Sequence, residues 1–162
     1  LHLSLRRQRQ MCIRDSSRSM ARVVVHLHGR PKDGGARLMI ENYAKRVSSR
    51  GISVEFHPGK KSTNEYEQRI NSIVGDIIIL DERGKQTSSL DFARTIQDSS
   101  MSERTLNLVI GPADGFSLEM KERHPSISLS MMTFPHEVAA AMLMEQIYRA
   151  CEINRGSPYH RE

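Results

Sequence analysis

Short apolar runs alternate with amphipathic segments along most of the chain. Strands are predicted where β-branched and aliphatic residues cluster, at 22–28, 52–57, 77–80 and 106–110. Helices are predicted where apolar residues recur at helical spacing, at 36–49, 64–72, 90–96 and 135–153. Because strands and helices alternate, we expect a single-domain, three-layer α/β fold with a mostly parallel sheet.

Ligands of parallel α/β sheets bind beyond the carboxyl ends of the strands. Three segments of this chain qualify: the loop after Leu80, the turn after Ile110 and the run 128–134. None of them carries a G-x-G-x-x-G or P-loop pattern, which counts against a classical dinucleotide or P-loop nucleotide site.

Two of these segments have unusual residues. The sequence Gly111-Pro-Ala-Asp-Gly115 allows close backbone approach at Gly111 and a positive φ at Gly115, although an ordinary strand-to-helix turn has the same composition. The run Ser128-Leu-Ser-Met-Met-Thr-Phe134 carries hydroxyl groups and methionines that suit an adenine or a thioether ligand. Taken alone, such a run is more typical of a buried strand.

The last predicted helix, 135–153, is the most apolar of the chain. Its apolar stripe is wider than contact with one sheet requires, which predicts a second surface such as a subunit interface. Cys151 falls on this stripe and is interpreted as a core residue. His136, at the start of the helix, is either a capping or packing residue or a catalytic one.

The polar tail after this helix places Tyr159, His160 and Arg161 side by side. These groups stack on bases, titrate near neutral pH and bind phosphate, respectively. Lying over a ligand site, the tail would therefore form an active-site strap.

Composition narrows the protein class. With 162 residues, of which 38% are hydrophobic, the chain is long enough for one domain and too short for two comfortable ones. No apolar run approaches the ~20 residues of a membrane span. Two cysteines indicate a reducing compartment, so we expect a cytoplasmic protein. No cluster of His, Cys and Asp with metal-ligand spacing is recognised, so no metal is expected.

The formal net charge of +5 is unevenly distributed. Five arginines and one aspartate give residues 1–19 a charge of +4, which leaves +1 from Met20 onward. The body is therefore only mildly basic, and charge gives weak support for nucleic-acid binding. Residues 1–19, with Cys12, lack hydrophobic periodicity and are predicted to be a disordered or non-native extension of a domain that spans 20–162.

Five segments of the sequence together resemble one family. They are Leu80-Asp-Glu-Arg-Gly-Lys, Leu108-Val-Ile-Gly, Ser128-Leu-Ser-Met-Met-Thr-Phe-Pro-His, Glu145-Gln-Ile-Tyr-Arg-Ala150 and Pro158-Tyr-His-Arg-Glu. From about Val23 to its last residue the chain is similar to the RlmH-type large-subunit ribosomal RNA methyltransferases of the SPOUT superfamily. That family methylates N3 of a pseudouridine in 23S ribosomal RNA.

The resemblance implies a fold whose C-terminal part passes through a loop as a trefoil knot, which is a rare exception among proteins. It also implies a homodimer built on the last helix, with S-adenosylmethionine bound in the knot. By carry-over, the cofactor contacts are assigned to Leu80, Gly111, Pro112, Leu129, Ser130, Met131, Met132, Thr133 and Phe134.

The chain departs from the family pattern at two positions. Pro112 replaces a second glycine, so the backbone N–H that a glycine would offer the cofactor is lost. Ala140 stands where an arginine is common, which puts in doubt any role of that arginine in RNA contact or dimerisation here.

The implied reaction predicts roles for the tail. N3 of pseudouridine is a poor nucleophile until its proton leaves, and methyl transfer needs in-line placement more than a metal. We expect His160 or Tyr159 to remove or accept that proton, and Arg161 to hold a phosphate or stabilise the developing imidate charge. Arg149 is a further candidate for RNA contact. Because the body is nearly neutral, we expect an assembled ribosome as substrate and weak affinity for naked RNA.

Two other functions remain open on the sequence alone. The sequence is also compatible with a non-enzymatic α/β dimer that binds a nucleotide or acts as a ribosome-associated factor. Full function of His160→Ala and Arg161→Ala proteins would favour that interpretation. A methyltransferase acting on transfer RNA is disfavoured by the terminal Pro-Tyr-His-Arg-Glu sequence. Whether the tail acts on the cofactor of its own subunit or of its partner is not decided by the sequence.

Overall fold

The structure, a computed structural model, describes residues 22–161. Its strands are β1 (Val23–His28), β2 (Ile52–His57), β3 (Asp76–Gln86), β4 (Leu106–Val109) and β5 (Ser126–Ser128). Its α-helices are α1 (Gly34–Val47), α2 (Thr63–Asn71), α3 (Ser89–Met101), α4 (Leu118–Arg123) and α5 (His136–Arg155), and a 3-10 turn, Ser48–Arg50, follows α1. The predicted extension 1–19, with Cys12, and the final residue Glu162 lie outside the described residues.

The five strands form one sheet in the order β2-β1-β4-β3-β5, and every pairing is parallel. β1 and β2 pair without interruption, from Val23 opposite Ile52 to His28 opposite His57. The parallel α/β sheet predicted from the sequence is confirmed. Among residues 22–161, no helix combines the length and the apolar character needed to cross a bilayer.

Serine side chains begin three of the helices. Ser62, Ser88 and Ser117 each accept a hydrogen bond from the backbone N–H three residues further on. The prediction that Ser89 caps α3 was wrong by one residue, because Ser88 is the N-cap. The predicted end of α3 at Ile96 was also wrong, because the helix continues to Met101.

The largest departure from the predicted elements lies in β3. The prediction ended this strand at Leu80 and made 81–89 a loop, yet β3 continues to Gln86. Leu80 and Lys85 both pair with Ile127 of β5, so the residues between them bulge out of the ladder. This segment has the polar, glycine-containing composition of a loop, and its strand pairing comes from the contact with β5 rather than from local propensity.

Each face of the sheet carries its own hydrophobic core. On one face, Val25 and Leu108 pack with side chains of α1, α3 and α5. On the other face, Ile79 packs with Tyr66 of α2 and Met120 of α4 in a smaller cluster. The three-layer arrangement therefore follows from the alternation of side chains along the strands.

Helix α5 lies in the middle of its layer, in contact with both α1 and α3. Its buried apolar residues are Ala140, Ala141, Leu143, Met144, Ile147 and Ala150. The broad apolar stripe that predicted a subunit interface is thus largely covered within the chain. What remains outside is a narrower face that includes Val138, which is 39% exposed.

Candidate functional site

A pocket of about 290 Å³ opens at the carboxyl ends of β4 and β5, beside the bulge in the middle of β3. Its walls come from the β3 segment 80–82, the turn 110–116, the loop 129–134 and the first turn of α5. The three segments that the sequence predicted as ligand-binding loops therefore meet at one site, as the rule for parallel sheets predicts.

Eight of the nine residues assigned to the cofactor line this pocket. They are Leu80, Gly111, Pro112, Leu129, Ser130, Met132, Thr133 and Phe134. The ninth, Met131, is 78% exposed and does not line the pocket. The Met131 side chain lies outside the pocket because the loop turns at this position. The alternation of side chains along a strand does not predict such a turn.

The run 128–134 forms a loop, and the buried strand typical of such a run ends at Ser128. The buried Ser128 hydroxyl lies 2.7 Å from the carbonyl oxygen of Ser130 and 3.1 Å from that of Glu82. The Ser130 hydroxyl in turn accepts a hydrogen bond from the backbone N–H of Met132. Serine side chains therefore hold the loop in place.

The turn 111–115 forms the opposite wall. Gly115 has a φ of 81°, as the sequence predicted, and its N–H donates to the carbonyl oxygen of Pro112 at 2.8 Å. A Cβ at Gly111 would stand 3.1 Å from the Phe116 ring, tighter than an ordinary contact. Pro112 is buried within this turn. The proline thus fits the turn, although it offers no N–H to a ligand.

Acidic side chains line the pocket at positions that the sequence-based assignment missed. Asp81, Glu82 and Asp114 are all pocket residues. One cation joins them: Lys121 lies 3.7 Å from the Asp81 carboxylate. Asp81 and Glu82 follow Leu80 directly, so their position at the carboxyl end of a buried strand was the signal that could have identified them.

The tail folds back along the second half of α5. The Tyr159 hydroxyl donates to Glu145 at 3.1 Å, and the Tyr159 ring packs edge-on against Tyr148. The Arg149 guanidinium lies 4.9 Å from the centre of the Tyr159 ring and binds the Glu145 carboxylate at 2.7 Å. Arg149, predicted as an RNA contact, therefore holds the tail in this structure.

Two of the predicted tail groups have defined hydrogen-bonding roles here. Burial and the hydrogen bond to Glu145 raise the pKa of Tyr159 to about 12, so the phenol is neutral at physiological pH. Nδ1 of His160 lies 3.2 Å from Nη1 of Arg149. Because a guanidinium only donates, Nδ1 of His160 accepts, and in the neutral ring the proton sits on Nε2. His160 therefore presents a donor at its free edge.

The tail and the pocket lie at opposite ends of α5 in one chain. The pocket touches the helix at His136 and Ala139, whereas the tail contacts it at Glu145 and Arg149. At 1.5 Å per residue, Ala139 and Arg149 are about 15 Å apart along the helix axis. The structure thus gathers the predicted cofactor residues at one place and the predicted tail groups at another.

Comparison with known proteins identifies the family of this chain. A family model described as "Predicted SPOUT methyltransferase" matches residues 21–160. The chain belongs to the SPOUT methyltransferase family. The resemblance found in the sequence motifs is thereby confirmed.

Individual SPOUT relatives match over nearly their whole length. A protein of Prochlorococcus marinus (strain MIT 9515) named "Ribosomal RNA large subunit methyltransferase H" is 38% identical over 141 residues, covering 86% of this chain and 96% of the relative. The protein of the same name from Ruegeria pomeroyi is 36% identical over 156 residues, with 86% and 99% covered. A solved structure, TrmJ from Z. mobilis ZM4, aligns with a TM-score of 0.42 and 12% identity over 86% of this chain and 71% of that one.

Other predicted residues of this SPOUT chain have clear places. His136 lines the pocket and makes no side-chain capping bond, because Pro135 is the N-cap of α5. Cys151 packs against the main core, and burial raises the pKa of its thiol, which fits a core residue rather than a nucleophile. Ala140 is fully buried, so the helix position that carries an arginine in many family members faces the protein interior here.

The base of the tail is held by Glu152, whose side chain is 4% exposed. Its carboxylate accepts hydrogen bonds from Arg50 at 2.7 Å and from Arg155 at 2.9 Å. Hydrogen bonds from Ser157 and from these arginines lower the pKa of Glu152 to about 2. One carboxylate thus joins the end of α1, the end of α5 and the first tail residue.

We expect a Glu152→Gln protein to lose about 2 kcal/mol of folding free energy, because charged hydrogen bonds are lost around a buried group. At roughly 2–4 °C per kcal/mol, its melting temperature at pH 7 should fall by about 4–8 °C. The folded pKa of Glu152 lies below its ordinary value of 4.5. Its contribution is therefore complete above pH 4.5 and is lost as the pH falls through the folded value.

Thermal unfolding of both proteins from pH 7 to pH 2.5 measures this contribution. The difference between wild type and variant should narrow as the solution becomes acidic. A Glu41→Gln protein, altered at an exposed position on α1, is the control and should melt like the wild type. A constant difference at all pH values would show that the Glu152→Gln substitution perturbs packing rather than charge.

A second group of titratable side chains lies away from the pocket, on the sheet face that α2 covers. Nδ1 of His26, Nε2 of His57 and a Glu55 carboxylate oxygen all lie within 4.8 Å of one another. No cluster with metal-ligand spacing was recognised in the sequence, and this one was missed. The signal was present as His26-Leu-His28 and Glu55-Phe-His57, since alternate residues of a strand share a face.

Proposed function

We propose that this chain uses S-adenosylmethionine to methylate N3 of a pseudouridine in 23S ribosomal RNA, in the cytoplasm and on assembled ribosomes. The observation that carries the proposal is the pocket at the carboxyl ends of β4 and β5, beside the bulge of β3, found in a SPOUT methyltransferase chain. Relatives named "Ribosomal RNA large subunit methyltransferase H" match 86% of the chain and support the choice of substrate.

The pocket suits the chemical character of S-adenosylmethionine. Its apolar wall contains Phe116, Leu129 and Phe134, against which an adenine ring and an alkyl chain would pack. Its acidic residues, Asp81, Glu82 and Asp114, complement the positive charges of the sulfonium and the amino group. At about 290 Å³ it is small for a ligand pocket, so part of the cofactor would remain at the open mouth.

We also propose that the site is built on a trefoil knot. The bulge of β3 between Leu80 and Lys85 stands beside β5, and the Ser128 hydroxyl lies 3.1 Å from the Glu82 carbonyl oxygen. The chain leaving β5 is therefore tied to this bulge just before it enters the pocket loop.

The tail groups fit roles in activating the imide nitrogen. When bound, the cofactor would supply an electrophilic methyl group. The uracil ring would pass its N3 proton to a water molecule before the nitrogen attacks that methyl group and S-adenosylhomocysteine leaves. His160 presents its Nε2–H as a donor, which suits a carbonyl oxygen beside N3 where negative charge develops. Arg161 would stabilise the same charge or hold a phosphate. Tyr159 stays protonated near neutral pH, because its pKa is raised to about 12, so it orients the tail and does not accept the N3 proton.

We propose a homodimer in which the tail of one chain acts at the pocket of the other. Reacting groups must approach to about 3–3.5 Å, and α5 separates the two halves of the site by about 15 Å within one chain. A two-fold axis across the middle of α5 would bring the second half of one helix beside the first half of its partner. Exposed apolar side chains on this layer, Leu38 and Val138, support an interface here.

The enzyme assay tests the activity itself. The protein is incubated with labelled S-adenosylmethionine and ribosomes that lack the modification, and 23S ribosomal RNA is digested and analysed by mass spectrometry. The expected product is N3-methylpseudouridine, formed on ribosomes and far more slowly on naked RNA. Rapid, sequence-specific methylation of the naked stem-loop would contradict the ribosomal substrate.

A pocket-filling substitution tests the cofactor site. Thr133 is exposed and lines the pocket, so a Thr133→Trp side chain should occupy the pocket without disturbing the core. We expect cofactor affinity in calorimetry to fall by at least about 100-fold, which is the loss of several kcal/mol of contacts. Met131→Trp, at the exposed loop position outside the pocket, is the matched control and should bind as the wild type does.

Mixed dimers test the tail arrangement. Thr133→Trp and His160→Ala chains are each expected to be inactive alone. If the tail acts across the dimer, their mixture contains one site with an intact pocket and an intact tail, so activity returns to about a quarter of the wild-type value when chains mix at random. No recovery, with mixed dimers shown by mass spectrometry, would mean that each tail serves its own pocket.

A further inference from the structure

The group formed by His26, Glu55 and His57 lies on two paired strands at the side of the sheet. His26 stands opposite Glu55 in the register, and His57 follows Glu55 by two residues, so all three side chains share one face. His26 and His57 are 1% and 5% exposed, whereas the Glu55 side chain is 48% exposed. The cluster therefore has two buried imidazoles and one carboxylate at its solvent side.

The hydrogen bonds of Asn107 fix the proton on His26. The Asn107 amide nitrogen donates to the carbonyl oxygens of Val74 at 3.3 Å and Asp76 at 3.2 Å. The amide oxygen of Asn107 must then face Nε2 of His26, 2.8 Å away, and accept its proton. Nδ1 of neutral His26 consequently carries a lone pair. A ring N–H anchored to an acceptor, with the other nitrogen free to ligate, is the usual arrangement of a metal-bound histidine.

The lone pair of His26 points into the cluster. Nδ1 of His26 lies 2.9 Å from Nε2 of His57. Nδ1 of His26 is 3.8 Å from Oε2 of Glu55, and Nε2 of His57 is 3.8 Å from Oε1 of the same carboxylate. Ligand atoms about 2.0–2.1 Å from a tetrahedral ion are about 3.3 Å apart. The two imidazole nitrogens stand slightly closer than this value and the carboxylate oxygens farther away. A small separation of the rings and a rotation that turns one oxygen of the half-exposed Glu55 inward would place three ligand atoms at three corners of a tetrahedron.

Burial keeps both imidazoles in the neutral form in which they can bind a metal ion. Burial lowers the pKa of both histidines, so both are neutral near pH 7, as metal ligands must be. Charges around the cluster act in opposite directions: Arg69 disfavours a cation here, and Glu55 favours one. The exposed Glu55 carboxylate can move inward and supply the negative charge that offsets Arg69.

We propose that His26 Nδ1, His57 Nε2 and a Glu55 carboxylate oxygen bind one divalent transition-metal ion of the kind that imidazole prefers, such as Zn²⁺. On binding, the proton of His57 moves from Nε2 to Nδ1, so two neutral imidazoles and one carboxylate ligate the ion. Water occupies the fourth position, on the side of Glu55. The ion joins the edge strand β2 to β1.

Cobalt absorption tests the site in the full-length protein prepared without a histidine tag. Tetrahedral Co²⁺ gives visible absorption bands that free Co²⁺ lacks, and Zn²⁺ should displace it. We expect one Co²⁺ per chain. Removing one ligand should weaken binding at least as much as removing an outer-sphere partner does, so His57→Gln should lower affinity by about 100-fold and Glu55→Gln by at least about 10-fold. His124→Gln, a histidine paired with Asn71 outside the cluster, should bind normally.

Two results would overturn the proposal. One is a wild-type protein that shows neither the absorption bands nor heat of binding with Co²⁺ or Zn²⁺. The other is undiminished Co²⁺ affinity in a folded Glu55→Gln protein, which would place the ion elsewhere. Circular dichroism establishes folding of each variant, and the exposed position of Glu55 keeps the test valid even if His57→Gln unfolds.

Discussion

Methyl transfer by a His160→Ala/Arg161→Ala protein should fall by roughly 10³-fold, while its affinity for S-adenosylmethionine stays unchanged. The two side chains lie on the tail, away from the pocket that is proposed to hold the cofactor. Removing one preoriented donor from a developing charge costs roughly 10²–10³-fold in rate. Single-turnover assays on ribosomes measure the rate, and calorimetry measures cofactor affinity.

The control for lost positive charge is Arg104→Ala. Arg104 pairs with Asp76 at the amino end of β3, the opposite edge of the sheet from the pocket. This variant should keep nearly full activity, because an exposed ion pair contributes little to stability. Wild-type activity of the double tail variant would remove the tail from the mechanism.

A Gly75→Ala protein should lose about 3–5 kcal/mol of folding free energy. Gly75 has a φ of 117°, a value that side-chain-bearing residues rarely adopt. An added Cβ would also overlap the Thr105 carbonyl oxygen and stand 2.9 Å from the Asn107 amide nitrogen. Strained backbone and overpacking each cost about 1–3 kcal/mol. Urea denaturation measures the loss as a lower midpoint.

Two glycine variants separate backbone strain from crowding. Gly156→Ala has a similarly positive φ of 76° but open space around the new methyl group, so it should lose only about 1 kcal/mol. Gly34→Ala, in the first turn of α1 with open space and no positive φ, should be neutral or slightly stabilising. Equal losses in Gly75→Ala and Gly156→Ala would show that the contacts with Thr105 and Asn107 do not matter.

Hydrophobic patterning predicted the α/β class and most elements. Buried strands appear in the sequence as short apolar runs, and amphipathic helices appear as apolar residues that recur at helical spacing. This patterning missed the continuation of β3 past Leu80, where only the pairing with β5 makes a polar segment extended. Family motifs selected the loop residues of the pocket, except that the turn of the loop carries Met131 outward. The His26 cluster was missed because its members come from separate strands, and only register brings them together.

All residues that line the pocket belong to the stretch from Leu80 to Ala139, and the first turn of α5 completes it. During synthesis, β1, α1, β2 and α2 leave the ribosome before any part of this wall exists. A ligand stabilises only the state that holds its site. The cofactor therefore cannot stabilise the first half of the nascent chain. That half must fold through the packing of its own side chains. A supply of the proposed cofactor, S-adenosylmethionine, should accordingly stabilise the finished protein against unfolding and degradation.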